Sequence, residues 1–245
     1  MFEINKIYCI DALELLKQMP DKSVDLILTD PPYGINADNG VGGFGSSPDK
    51  AKKYDDEWDK LTPDKDVFDE MLRVGKKVII FGGNFFIDKL PFKKSWIIWD
   101  KIGLHKFNNP FSDVELAWTN FDRVISKKYT VIQQGFIAEE SNRFHPTQKP
   151  IKLFREIIKD YTREDDLVFD CYVGSGTTAI ACKQLKRKYI CGDIQQKYVD
   201  ITNKRLQQKT IFNLEEYSEV KSGCDANDDG IPPNNKLLGI LPNEL

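Results

Sequence analysis

The sequence predicts an α/β protein built on a doubly wound, mostly parallel sheet. Short apolar runs alternate with segments of helical period along most of the chain. Residues 166–193 show strand, glycine turn, helix, strand and acid in unbroken succession. A length of 245 residues suffices for one such domain with a substantial core.

Taken in order, "KIYCI" (6–10) reads as a strand and "DALELLKQM" (11–19) as a helix that Asp11 caps. "VDLIL" (24–28) is the second strand. Residues 34–60 read as a long loop with glycines at 40, 42, 43 and 45 and a later charged run, a length that usually signals function or mobility. Residues 63–74 read as a helix, "KVIIF" (77–81) as a strand and "FFIDKL" (85–90) as a short helix. "SWIIWD" (95–100) and "VELAWTN" (114–120) read as strands, with Trp96, Trp99 and Trp118 as core residues. Residues 122–144 show no period. "PIKLFREIIKDYT" (150–162) is an amphipathic helix with proline in its first turn. "DLVFD" (166–170), "TTAIACKQL" (177–185), "KYICGD" (188–193) and "KYVDITNKRLQQK" (197–209) are strand, helix, strand and helix. From about Phe212 the pattern dissolves. We therefore expect one domain over 1–211 and an acidic tail or extension over 212–245.

The net charge of −3 is unevenly placed. Residues 212–245 hold seven acids and two lysines. Taking these from the chain's 35 basic and 38 acidic residues leaves 33 and 31, a body of charge +2 that permits nucleic-acid binding without arguing for it. Five cysteines without C-x-x-C spacing and two histidines predict reduced thiols and no zinc site. No apolar run approaches the roughly 18 residues of a spanning helix. The start "MFEINKIYCI" does not read as a signal peptide, so a cytoplasmic protein without membrane contact is expected.

Two strand ends carry chemistry. At 26–34, "LILTDPPYG", paired prolines stop the strand and leave a carboxylate, Asp30, beside an aromatic ring, Tyr33. An acceptor next to a ring suits a planar base bearing an exocyclic amine, with the Pro31 carbonyl as a second acceptor. At 170–177, Gly174 and Gly176 let the backbone turn tightly, and Ser175, Thr177 and the free N–H groups of the following helix suit an anionic group. Asp193, 19 positions after Gly174, suits ribose hydroxyls. A kinase-type P-loop is excluded, because G-x-x-x-x-G-K-[ST] does not occur.

"DPPY" (30–33), "HPTQKP" (145–150) and "DCYVGSGTT" (170–178), in that order, resemble the permuted β-class of DNA amino-methyltransferases. The compact form is similar to phage and prophage adenine methylases. The resemblance covers about residues 3–210 and implies a seven-stranded, Rossmann-like methyltransferase sheet with circularly permuted motif order. It implies S-adenosylmethionine as cofactor, no metal, and double-stranded DNA as partner. It also allows a homodimer and a restriction-endonuclease partner.

By the same resemblance, Asp30, Pro31, Pro32 and Tyr33 form the catalytic clamp: the Asp30 carboxylate and Pro31 carbonyl accept from the target amine, and Tyr33 stacks on the flipped base. Asp11 lies near the cofactor adenine and Asp193 on its ribose. Asp170, Tyr172, Gly174, Ser175, Gly176 and Thr177 surround the methionine part, with Thr147 and Lys149 near its carboxylate. The family's usual proline and phenylalanine after Asp170 are here Cys171 and Tyr172. Tyr172 keeps an aromatic wall, whereas Cys171 gives up proline's rigidity. His145 is expected to order its loop. Base readout has room only in a short insert around 122–144 and in the loop 34–57.

The implied activity is adenine-N6 methylation of DNA after base flipping. The alternatives are cytosine-N4 methylation, where serine is commoner in place of Asp30, and a non-catalytic DNA-binding relative. RNA or protein-glutamine methylation is a further one, where asparagine usually stands at this position. Lys50, Lys52 and Lys53 are candidates for phosphate contact or for a solvated cluster.

Overall fold

The computed structural model describes residues 2–35, 59–106, 112–122, 124, 126–133 and 148–208. The expected tail (212–245), most of the long loop and the segment containing His145 and Thr147 lie outside these residues.

The elements run β1 (Lys6–Cys9), α1 (Ala12–Lys17), β2 (Val24–Thr29), α2 (Lys65–Val74) and β3 (Gly75–Phe81). A 3₁₀ turn (Gly83–Phe85), β4 (Trp96–Asp100), β5 (Val114–Thr119) and β6 (Lys127–Thr130) follow. The chain continues through α3 (Ile151–Tyr161), β7 (Leu167–Asp170), α4 (Thr177–Gln184), β8 (Lys188–Asp193) and α5 (Gln196–Gln207). The strands form one sheet in the order β1-β8-β7-β2-β3-β5-β4-β6. Every pairing is parallel except β3–β5 and β4–β5, so β5 alone runs against the rest.

The sheet is buried on both faces, which is why its strands read as near-continuous apolar runs. In β2 and β3, Leu26, Leu28, Ile79 and Phe81 face one layer, and Ile27, Val78 and Ile80 the other. α3 and α4 cover the first layer through Leu153, Phe154, Ile157, Ile158 and Ala181. α1 and α2 cover the second through Leu15, Leu16, Phe68 and Met71. Each fully buried side chain of this kind contributes roughly 1.5–3 kcal/mol. Trp99 and Trp118 are core residues with satisfied indole N–H groups, donating to the Val131 and Pro91 carbonyls. Cys171, Cys182 and Cys191 are buried free thiols. No helix among the described residues is long and apolar enough to cross a membrane.

Three sequence expectations change. The sheet has eight strands, not seven. The eighth, β6, lies inside the stretch that showed no period. Its four residues, Lys-Lys-Tyr-Thr, bury only Tyr129, so no alternation is visible. The strand exists through its parallel pairing with β4, Ile97 opposite Lys127 onward, and its lysines suit a sheet edge. The expected helix over 85–90 is the 3₁₀ turn followed by turns. Pro150 occupies the N-cap position of α3, one residue before its first turn.

Candidate functional site

β2 and β7 are parallel neighbours, with Leu26 beside Val168 and Ile27 beside Phe169. From β2 the chain moves outward to β3, and from β7 it moves the opposite way to β8. Such a reversal opens a crevice beyond the carboxyl ends of the strands. A cavity of about 500 Å³ lies there. The Thr29 hydroxyl donates to Asp170 Oδ1 at 2.7 Å and so pins the two strand ends together.

Asp170 anchors this junction. Its carboxylate also accepts from the Thr178 hydroxyl at 2.5 Å and from the Tyr172 N–H at 3.0 Å. It is only 3% exposed. Burial pushes its pKa up to about 6, against the opposing pull of Thr178, Thr29 and the Tyr172 N–H.

The glycine turn after β7 forms one wall. Gly174 and Gly176 have φ of +50° and +93°, left-handed conformations that favour glycine. A Cβ on Gly176 would lie 2.6 Å from Thr202 Cγ2 of α5. The Thr202 hydroxyl donates to the Gly174 carbonyl at 2.9 Å, and Arg205 donates to the Ser175 carbonyl. Helix α5 therefore holds the turn from behind. Ser175 donates to Gln148 Oε1 at 2.9 Å, and Thr177 to the Lys149 carbonyl at 3.1 Å.

Asp193, at the end of β8, accepts from the N–H groups of Gly174 (3.0 Å) and Gln195 (2.9 Å). Burial raises its pKa, and these two bonds oppose the rise. Asp11 caps α1 through Oδ1, accepting from Leu13 and Glu14 N–H at 2.8 and 3.2 Å.

The DPPY turn forms the other wall. The Tyr33 hydroxyl donates to Asp30 Oδ1 at 2.5 Å, and Lys149 Nζ donates to Asp30 Oδ2 at 2.5 Å. Lys149 Nζ also lies 3.3 Å from Glu115 Oε2, an ion-pair contact without hydrogen-bond geometry. Burial raises the Asp30 carboxyl above the ordinary range while Lys149 opposes the shift. Burial opposes the Lys149 ammonium, but Asp30 and Glu115 outweigh it and hold the lysine charged. The Tyr33 phenol is pushed well up, first by burial and then by Asp30, so it remains a neutral donor.

The turn is fixed from outside by Asp59, whose Oδ1 accepts from Tyr33 N–H (2.6 Å) and Gly34 N–H (2.9 Å). The Tyr33 ring stacks on Phe85 with centroids 4.9 Å apart and planes at 14°. Beneath it, Gly82 (φ +70°) leaves room that a Cβ would fill, 2.1 Å from the ring.

Most expected site residues meet at this one cavity. Asp30 and Pro32 line it from the first turn, and Asp170, Tyr172, Gly174, Ser175 and Thr177 from the second. Asp11, Lys149 and Asp193 complete the wall. Pro31 is buried, Tyr33 sits beside Asp30, and Gly176 packs behind the turn against Thr202. Lys149 differs from expectation in its partner: its ammonium points to Asp30. Sequence reasoning passed over Asp59, Phe85, Glu115, Gln148, Thr202 and Arg205. Glu115 was signalled by its charge within the apolar "VELAWT", and Gln148 by lying inside "HPTQKP". Asp59 carried no local signal.

A family model described as DNA methylase matches residues 118–204. Type II methyltransferase M.HpaI of Haemophilus parainfluenzae is 30% identical over 243 residues, covering 83% of this chain and 74% of that protein. Type II methyltransferase M.HinfI of Haemophilus influenzae is 28% identical, covering 84% and 69%. Among solved structures, the M1.HpyAVI–SAM complex aligns with a TM-score of 0.54 at 25% identity, covering 83% of this chain and 99% of that one. The cytosine-N4-specific PvuII DNA methyltransferase aligns at 0.56 with 19% identity, covering 88% and 90%, a likeness of fold alone. By its identity to M.HpaI over three-quarters of that enzyme, together with the matching family model, the chain belongs to the DNA methylase family.

Proposed function

We propose that this methylase transfers a methyl group from S-adenosylmethionine to the N6 amine of adenine in double-stranded DNA, acting on a base flipped from the helix. The observation that carries this reading is the junction between β2 and β7. Through Thr29 and Asp170 it sets the Asp30 carboxylate and the glycine turn on one cavity.

The cavity's groups fit the cofactor. Asp193 and Asp11 are acceptors suited to ribose hydroxyls and an adenine edge. Tyr172 and Ala12 supply apolar wall. The turn at Gly174–Thr177, with the start of α4 behind it, suits the charged methionine end. When bound, S-adenosylmethionine supplies an electrophilic methyl on sulfonium.

The protein's own part is positioning and electrostatics. Asp30 and the Pro31 carbonyl accept from the two amine hydrogens and so aim the nitrogen lone pair. An ionised carboxylate has about four acceptor sites. Tyr33 and Lys149 each take one, which leaves sites for the amine. Tyr33, held flat by Phe85 and Gly82, is the stacking surface. Pro32 stiffens the turn.

The motif order, with the DPPY strand ahead of the glycine turn, supports the permuted β-class. Residues 1–211 are the catalytic domain, the stretch around 122–144 its recognition insert, and 212–245 an acidic extension. Thr147 belongs to the cofactor side by its motif.

The test is reaction of the protein and duplex DNA with methyl-labelled cofactor, followed by nucleoside analysis. Label in N6-methyladenine is the expected result. Label in N4-methylcytosine would overturn the choice of base, and unlabelled DNA would overturn the reaction.

A further inference from the structure

Lys149 is 6% exposed, yet it carries a charge. A buried ammonium persists only where carboxylates or other acceptors meet it. Here Asp30 Oδ2 lies at 2.5 Å, Glu115 Oε2 at 3.3 Å and the Tyr33 hydroxyl at 3.4 Å. The ring faces of Tyr33 and Phe81 lie 5.5 Å away. The Lys149 backbone is held separately, its carbonyl accepting from Thr177 at the start of α4. One residue therefore touches both walls, with its backbone on the cofactor turn and its side chain on the target clamp.

We propose that Lys149 is a positioning residue of the target-amine clamp, fixing the Asp30 carboxylate through Oδ2, and that Glu115 of β5 in turn fixes Lys149. This rests on the reading above that Asp30 receives the target amine. It departs from an anion-binding role for Lys149 at the cofactor carboxylate, because the ammonium is already engaged by two carboxylates of this chain. Lys101 Nζ lies 3.3 Å from Glu115 Oε1, so two lysines balance the two carboxylates, and it is the Asp30 carboxylate itself that meets positive charge developing on the methylated amine. Orientation follows from geometry: the two oxygens of Asp30 are held by different donors, Tyr33 on Oδ1 and Lys149 on Oδ2. The carboxylate plane cannot rotate without breaking one of them.

The groups facing Asp30 determine the sign of any pH effect. Lys149, from the segment before α3, favours the ionised form, as does the Tyr33 hydroxyl within the turn. Glu115 from β5 disfavours it, and by the same repulsion so does Asp170 at the end of β7. Asp59 holds the turn from outside and acts on Tyr33. Removing Lys149 therefore leaves repulsion and burial in control, and Asp30 must hold its proton to higher pH.

The experiment uses full-length protein and Lys149→Met, which keeps an apolar stem and removes the charge. The Asp30 carboxyl is titrated by 13C NMR without cofactor or DNA, and its signal is assigned by its loss in Asp30→Asn. The titration should move up by at least one pH unit. Cofactor affinity by calorimetry should stay within threefold. The kcat should fall at least tenfold at neutral pH, with its acid limb displaced along with the titration. If Lys149→Met fails to fold, Glu115→Gln keeps the Asp30 pair and loosens the lysine. There kcat should fall severalfold at unchanged KM for the cofactor.

An unmoved Asp30 titration in folded Lys149→Met would overturn the proposal. So would a tenfold loss of cofactor affinity with that titration unmoved, which would assign Lys149 to the cofactor. In Glu115→Gln, a changed cofactor KM at wild-type kcat would overturn it as well. Wild-type protein that leaves DNA unmethylated, with the titration displaced as described, would refute the activity and leave the Lys149–Asp30 pair established.

Discussion

At the scale of single residues, Asp193 and Asp170 show how two carboxylates in one cavity, one half-buried and one buried, differ in role. Asp193 lies on the wall and uses one bond per oxygen on backbone N–H groups, so acceptor sites remain for a ligand. Asp193→Ala should weaken S-adenosylmethionine binding by about 1.5–3 kcal/mol, the range for a hydrogen bond to a charged group. Calorimetry showing unchanged affinity would move the ribose site elsewhere.

Asp170 instead satisfies Thr29, Thr178 and the Tyr172 N–H and serves the frame. Its native pKa of about 6 lies above the unfolded value of 3.8. A raised carboxyl pKa means that the native state holds the proton longer. Its contribution to stability is thus greatest below about pH 4, declines as pH rises through 6, and is level above. The difference is about 3 kcal/mol at most, at 1.36 kcal/mol per pH unit. Denaturant titrations at pH 4.5 and 7.5 should show this decline in wild type relative to Asp170→Asn. Parallel pH dependence in the two proteins would contradict it.

Legibility at this scale followed locality. Asp30, Gly174 and Asp193 stood out because the chemistry of each is announced by neighbours within a few positions. Asp59 did not, since its bond to the turn closes over 26 residues and nothing around it marks an acceptor. Lys149 was visible within its motif, but its partner was not. Only the fold brings residue 149 to residue 30.

At the scale of elements, the glycine turn shows that conformational freedom alone does not make a binding loop. Gly174 and Gly176 permit the turn, and α5 fixes it through Thr202 and Arg205. Thr202→Val keeps the volume and removes the bond to the Gly174 carbonyl. It should cost about 1 kcal/mol of stability and weaken cofactor binding severalfold, with kcat at saturating cofactor unchanged. A lowered kcat at unaltered cofactor affinity would contradict this role.

The strands and helices with long apolar faces were readable because burial on one or two faces leaves a period. β6 was not, because an edge strand of four residues with one inward side chain leaves none. The 3₁₀ turn after β3 was read as a helix because "FFIDKL" is apolar, whereas Gly82 at φ +70° directs the chain around Tyr33.

At the scale of the whole molecule, the sheet joins two chemistries by making neighbours of strands 140 positions apart in sequence. β2 ends at Thr29, just before Asp30, and β7 ends at Asp170, and the Thr29–Asp170 hydroxyl–carboxylate bond spans the seam. The alternating sequence pattern indicated a doubly wound sheet. It could not say which strands adjoin, since pairing depends on long-range packing. Identity of the site therefore came from motifs, and its unity from the fold.

Asp30→Ala separates the two halves most directly. Duplex methylation by this variant should fall by at least a thousandfold, and calorimetry should find S-adenosylmethionine bound within about tenfold of wild type, as expected where the ligand that Asp30 receives is the target amine and not the cofactor. Turnover like that of wild type would contradict the assignment of Asp30 to the target amine, and loss of cofactor binding in a folded variant would contradict the division of the cavity into two walls.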